Sequence, residues 1–206
     1  MKAPITDKWA PKLAILDLET GGLDPRITDI VEYAVLVPHH FDRAFDDLIA
    51  AGRVWPELPV EPKAGEVNGF NIAGWAGAAS QRHALQVLCH QLEGKYVAGS
   101  NPQFDWGYVV EGCRRHGLRP PKLASRHLLD VPSMAHPLMI AGHIPNLKQS
   151  TLMEYFELGE QKHGAVEDVQ ALAAIYRRLL PMFEVPVIYE TEARPAPYKG
   201  EDDASS

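Results

Sequence analysis

Cysteine is scarce in this sequence: Cys89 and Cys113 are the two among 206 residues. They form neither a Cys-x-x-Cys motif nor a cysteine and histidine spacing suited to zinc. Redox and zinc-site chemistry are therefore without support, and reduced buried thiols are expected rather than a bridge. Long apolar runs are also missing. No stretch approaches the length of a membrane span, and the opening Met1-Lys2-Ala3-Pro4-Ile5-Thr6-Asp7 lacks the apolar centre of a signal peptide. The expectation is a cytosolic protein with no membrane partner. Positive charge is in short supply as well, with 20 Lys and Arg against 27 Asp and Glu, a net charge of −7. That balance argues against a protein that grips nucleic acid over a broad basic face.

The deficit is unevenly distributed. Residues 181–206 hold six acids against Arg194 and Lys199, net −4, which leaves −3 for residues 1–180. A protein that holds only a strand end needs few phosphate contacts, so the objection to nucleic acid weakens. The same boundary divides the chain into one domain, 1–180, and a proline- and acid-rich tail, 181–206, ordered only where it docks. An apolar fraction of 46 % is ordinary for a globular domain with one packed core.

What is present begins with Leu13-Ala14-Ile15-Leu16-Asp17-Leu18-Glu19-Thr20-Gly21-Gly22-Leu23. Side chains alternate along a strand, so Asp17 and Glu19 share one face while Leu16 and Leu18 pack on the other. Two carboxylates side by side repel unless a cation lies between them, and hard divalent ions take such ligands. The competing reading is an edge strand with solvated acids. Asp24-Pro25 predicts a turn into a second strand, Ile30 to Val37, rich in β-branched residues. Residues 38–79 give little pattern. Pro56, Pro59 and Pro62 are expected to break any helix there, and Val54-Trp55 to form a third, edge strand.

Ser80 to Glu93 has apolar residues at helical spacing, with Ser80 placed to cap and Gly94 to stop. Tyr96 to Gly99 predicts a strand, Gln103 to His116 a helix, Leu118 to Arg126 a loop, and His127 to Val131 another strand. Leu147 to Phe156 and Val166 to Leu180 predict helices, the latter with an apolar stripe of Val169, Leu172, Ala173, Tyr176, Leu179 and Leu180. Strands first and then alternating helix and strand predict an α/β protein, a mixed sheet with helices on both faces.

Two further stretches fall at strand-to-helix junctions. Asn101-Pro102-Gln103-Phe104-Asp105 puts Asp105 in a first helical turn, where a role in helix initiation competes with one in chemistry. His163-Gly164-Ala165-Val166-Glu167-Asp168 puts His163 on the loop entering a helix and Asp168 near its start, so both could face one site. Arg114, Arg115, Arg119, Lys122 and Arg126 form the one basic cluster, either a solvated helix end or a track for a nucleic-acid backbone.

Taken in order, Asp17-x-Glu19, Asn101-x-x-Phe104-Asp105 and His163-x-Ala165-x-x-Asp168 resemble the three motifs of the DEDDh 3′→5′ exonucleases, from about Leu13 to Leu180. The family includes polymerase proofreading subunits, oligoribonuclease and ribonuclease T. The resemblance implies a ribonuclease H-like fold and two Mg²⁺ or Mn²⁺ ions per active site. Asp17, Glu19, Asp105 and Asp168 would be the metal ligands and His163 the general base. It further implies removal of nucleoside 5′-monophosphates from the 3′ end of a single strand, DNA more than RNA. The end would be held by Thr20 and Gly21, with Leu23 as a wedge and Asn101 and Phe104 flanking sugar and base. A DNA polymerase or other replication partner is compatible with it. Where relatives carry a Val-His-Gly-Ile-like segment this chain has Val67-Asn68-Gly69-Phe70, which leaves Asn68 without an assigned role. Asp130 matches a frequent family acid and is as suited to fixing a loop as to touching metal. Two alternatives stand beside this reading: an RNA-trimming enzyme with the same site, and a non-catalytic module that docks nucleic acid or a polymerase.

Overall fold

The computed structural model describes residues 7–41, 47–160 and 164–183; His163 and residues 184–206, nearly all of the expected tail, lie outside them. Among the described residues six strands form one mixed sheet: β1 (Leu13–Thr20), β2 (Ile30–Val37), β3 (Leu48–Trp55), β4 (Ala79–Ser80), β5 (Tyr96–Gly99) and β6 (Leu129–Asp130), in the order β4-β3-β2-β1-β5-β6. β2 runs antiparallel to both β1 and β3, while β5 runs parallel to β1 and β6 parallel to β5. The helices are α1 (Pro62–Asn68), α2 (Gln81–Leu92), α3 (Pro102–Arg115), α4 (Val131–Met134), α5 (His136–Ile140), α6 (Gln149–Tyr155) and α7 (Ala165–Leu179).

The period-two pattern of β1 divides the core. Ala14, Leu16 and Leu18 pack with Leu85, Leu88, Tyr108 and Val109 of α2 and α3. Leu13 and Ile15 pack on the opposite face with Val169, Leu172, Ile175 and Leu179 of α7. Burying such side chains contributes about 1.5–3 kcal/mol each, so both helical layers are fastened to the same central strand. Local signals behave as the sequence suggests: the Ser80 side chain accepts from the His83 N–H at 3.3 Å, and Gly94 takes the left-handed conformation that ends α2.

Three expectations are corrected. Pro62 does not break a helix but opens α1, at a position whose missing N–H has no helical partner to lose. Val54-Trp55 is the end of an eight-residue strand, and that strand is not the edge, because β4 pairs beyond it. The strand expected over His127 to Val131 is reduced to Leu129–Asp130, since Val131 already begins α4.

Candidate active site

Asp17 and Glu19 continue the β1 face that carries Leu13 and Ile15, so they emerge where the apolar contact with α7 gives out. α7 starts at that point. The Asp168 N–H closes its first turn on the Gly164 carbonyl at 2.9 Å, which sets the Asp168 side chain at the helix entrance. Asp17, Glu19 and Asp168 each offer a carboxylate oxygen, and the three atoms lie within 4.8 Å of one another. Gln149, the first residue of α6, donates its side-chain amide to Asp168 Oδ1 at 2.7 Å and fixes that carboxylate's orientation.

Asp105 arrives from the other layer. The parallel β1–β5 ladder ends at Ile15 and Ala98, and the Leu18 N–H beyond it donates to Asp105 Oδ1 at 3.0 Å. Asp105 thereby stands in for the missing strand neighbour. Burial pushes its carboxyl up to about 7, with Glu19 adding to the rise and backbone hydrogen bonds opposing it. Asp17 is held well above the usual carboxylate range, first by burial and then by the charges of Asp105, Asp168, Glu19 and Glu32. Glu32 lies opposite Glu19 in the β1–β2 register and is itself raised by burial. Beside the group a cleft of about 390 Å³ is lined by Glu19, Glu32, Arg53, Asn68, Trp75 and Glu167, among others.

Several carboxylates crowded together raise one another's pKa, and a divalent cation removes that penalty. The donors are all oxygen, without a thiolate, which suits a hard ion such as Mg²⁺ and not a structural zinc. Asp17, Glu19 and Asp168 could hold such an ion directly, with Asp105 close enough for its charge to act on Asp17.

The segment after β1 is tied down from three directions. The Asn68 amide donates to the Thr20 carbonyl at 2.9 Å, the Glu61 N–H to the Gly21 carbonyl at 2.7 Å, and the Gly21 N–H to the Asp29 carbonyl at 2.7 Å. Asn68 therefore does have work in this fold. Leu23, at the tip, is 82 % exposed and free to meet a ligand. Phe104 lies with its ring centroid 5.2 Å from that of Tyr108. Asn101 adopts the left-handed conformation before α3, and its N–H donates to Asp130 Oδ1 at 3.0 Å while Ser133 takes the other oxygen. Of the two roles open to Asp130, the structure gives it the loop. The basic cluster is partly consumed internally: Arg115 pairs with the fully buried Asp29, and Arg114 with Glu111 at 2.6 Å.

No family model matches the sequence, and no curated protein matches it. Solved structures do. Exonuclease I of E. coli, in complex with a dT13 oligonucleotide, superposes with a TM-score of 0.66 at 14 % identity, over 81 % of this chain and 40 % of that one. The fold is ribonuclease H-like. Cell-death related nuclease 4 matches with a TM-score of 0.66 at 17 % identity, over 84 % of this chain and 64 % of the other. Exonuclease X, in complex with 5′ overhanging duplex DNA, matches at 0.58 and 18 % identity, over 83 % and 92 %. This chain spans about 40 % of the exonuclease I chain, and at these identities the likeness establishes the fold.

Proposed function

We propose that the chain is a divalent-metal-dependent 3′→5′ exonuclease of the DEDDh type, acting on single-stranded nucleic acid and releasing nucleoside 5′-monophosphates. The observation that carries the reading is the convergence of Asp17, Glu19 and Asp168 within 4.8 Å, at the open end of a sheet with an exonuclease-like fold. Structural neighbours crystallised with DNA favour DNA over RNA as substrate.

In this reading Asp17, Glu19 and Asp168 would hold one ion and Asp105 would contribute to a second, both Mg²⁺ or Mn²⁺. Bound ions would supply charge stabilisation and a more acidic attacking water. His163 would serve as the general base for the attacking water, the part a histidine most often takes in such chemistry. Thr20 and Gly21 hold the terminal nucleotide's 3′ hydroxyl, Leu23 wedges against the last bases, and Asn101 and Phe104 flank the sugar and base. Apolar contact with Leu23 and stacking on Phe104 tolerate any base, as an enzyme that must process every end requires.

The test is digestion of matched, labelled DNA and RNA single strands with Mg²⁺, Mn²⁺ or excess chelator, with products sized over time. Expected are mononucleotides from a free 3′ hydroxyl, no cutting of circular strands, and loss of activity in chelator and in Asp17→Ala. His163→Ala should lower turnover by about 10²- to 10⁴-fold with metal and substrate affinity nearly intact. Parental turnover in chelator, or internal cutting of circles, would sink the reading.

A further inference from the structure

Tyr108 follows Asp105 by one helical turn on α3, and its ring is buried against the sheet. By its spacing it is a core residue, and a phenylalanine would fill the same volume. The hydroxyl has a different destination. It lies 2.7 Å from Thr28 Oγ1 and donates to the Gly22 carbonyl at 2.9 Å, while the Thr20 hydroxyl donates to that same carbonyl at 2.7 Å. Thr28 in turn reaches the Asp24 carbonyl at 2.9 Å. A consistent count of protons sends those of Thr20 and Tyr108 to Gly22, and that of Thr28 to Asp24 or to the Tyr108 oxygen. Both lone pairs of the Gly22 carbonyl are then taken, which fixes the peptide plane between Gly22 and Leu23.

The loop has little freedom to settle elsewhere. A Cβ on Gly22 would stand 2.6 Å from Glu61 Oε1 and 2.8 Å from Thr28 Cγ2, so its neighbours already occupy the space a side chain would need. Thr20, Thr28 and Tyr108 are all buried, so water does not substitute for a lost hydroxyl without rearrangement. The first two turns of α3 thus hold two things at once. Asp105 fixes β1 at Leu18 beside the metal ligands, and Tyr108 fixes the turn that carries Leu23. A rigid helix sets the distance between them.

Resting on the exonuclease reading above, we infer that Tyr108 is a positioning residue that sets the 3′-end pocket in register with the metal ligands, so that recognition of the strand end depends on its hydroxyl. Tyr108 touches neither substrate nor metal in this scheme. It acts through the Gly22 carbonyl on the height and direction of Leu23. Losing the hydroxyl loosens the end pocket while the carboxylates stay in place, and a binding defect without a chemical defect appears as a change in KM.

The experiment compares the full-length parent with Tyr108→Phe, Thr28→Val and Thr28→Ser, well below the melting temperature of each. Steady-state kinetics are measured on single strands ending in a 3′ hydroxyl or a 3′ phosphate, alongside a metal titration. Tyr108→Phe should raise KM about tenfold with kcat within about twofold. Its preference for the 3′ hydroxyl over the 3′ phosphate should shrink, and its metal dependence should match the parent's. Thr28→Val should follow it, whereas Thr28→Ser, which keeps a hydroxyl, should stay near the parent. An active parent with an unchanged KM and end preference in Tyr108→Phe overturns the inference alone, as does a loss of rate that merely tracks the unfolded fraction. A parent that degrades no strand under any metal overturns the exonuclease reading, and this inference with it.

Discussion

Asp17 and Asp29 are both acids withdrawn from water near the same end of the sheet, yet their neighbours are opposite in character. Asp29 is fully buried and is answered from within the chain: Arg115 pairs with one carboxylate oxygen, and the N–H groups of Glu57 and Leu58 donate to the other at 2.7 Å each. Burial pushes the Asp17 carboxyl up, and Asp105, Asp168, Glu19 and Glu32, all of its own sign, push it further. A folded chain gains nothing by gathering like charges unless something from outside supplies the opposite one. The pair contrasts two kinds of burial: Asp29 holds the strap from Glu57 to Glu61 against the Gly21 turn, whereas Asp17 belongs to a cluster that could hold a cation the polypeptide does not provide.

Substitution should split the two most widely. Asp29→Ala leaves the Arg115 guanidinium without its ion-pair partner and two part-buried N–H groups without an acceptor, and should cost about 3–5 kcal/mol of stability. Asp17→Asn keeps shape and relieves repulsion, so in excess chelator it should unfold at or above the parent's denaturant midpoint. Urea titrations of both variants in chelator decide the matter. Equal destabilisation by the two would mean that Asp17 is as well satisfied internally as Asp29.

The same contrast predicts an unusual pH dependence. A carboxyl raised in the folded state binds its proton more tightly there than in the unfolded chain. Between the two pKa values the native protein carries more protons, and stability falls as pH rises. For Asp105 that window runs from its ordinary 3.8 to about 7, and Asp17 adds a slope of the same sign. In chelator the parent should therefore lose stability from pH 4 toward neutrality, by at most about 1.4 kcal/mol per unit for each group. Asp105→Asn should flatten part of that slope. Saturating Mg²⁺ should do the same, because the ion binds the charged form. A parent in chelator that gains stability steadily across this window would contradict a preformed, repulsive cluster.

How far the sequence discloses these features depends on whether their cause is local. The strands holding Leu13 to Thr20 and Ile30 to Val37, and the helices at Gln81, Pro102 and Ala165, follow from period and capping, and the structure agrees to within a residue or two. The places of Asp17 and Glu19 on one strand face, and of Asp105 and Asp168 in first helical turns, were legible for the same reason. Residues 38–79 were not. β3 is mostly exposed and includes Ala50, Ala51 and Gly52, so it shows no alternation to read, and Pro62 starts a helix where a breaker was expected. Asp29 and Arg115 lie 86 positions apart, and nothing near either announces the other. Tyr108 at a helical core position carries no mark of the loop that its hydroxyl reaches.

Gln149 is expected to give the smallest effect, and it tests the arrangement most finely. Its amide donates to Asp168 Oδ1 at 2.7 Å and so orients a carboxylate that lies with those of Asp17 and Glu19. Partners that orient a ligand without touching the ion are worth about 10- to 100-fold in metal affinity or activity. The lower end applies here, because the donor is neutral and Asp168 is also held by its helix. Gln149→Ala should therefore weaken Mn²⁺ binding by about tenfold, read by isothermal titration, and raise the metal concentration for half-maximal activity by the same factor. Turnover at saturating metal should recover to near the parent's, because the ligand itself remains. Gln149→Glu should be worse than alanine, since it places another carboxylate against Asp168 in place of a donor. Unchanged metal affinity in both variants would show that Asp168 is oriented by α7 alone.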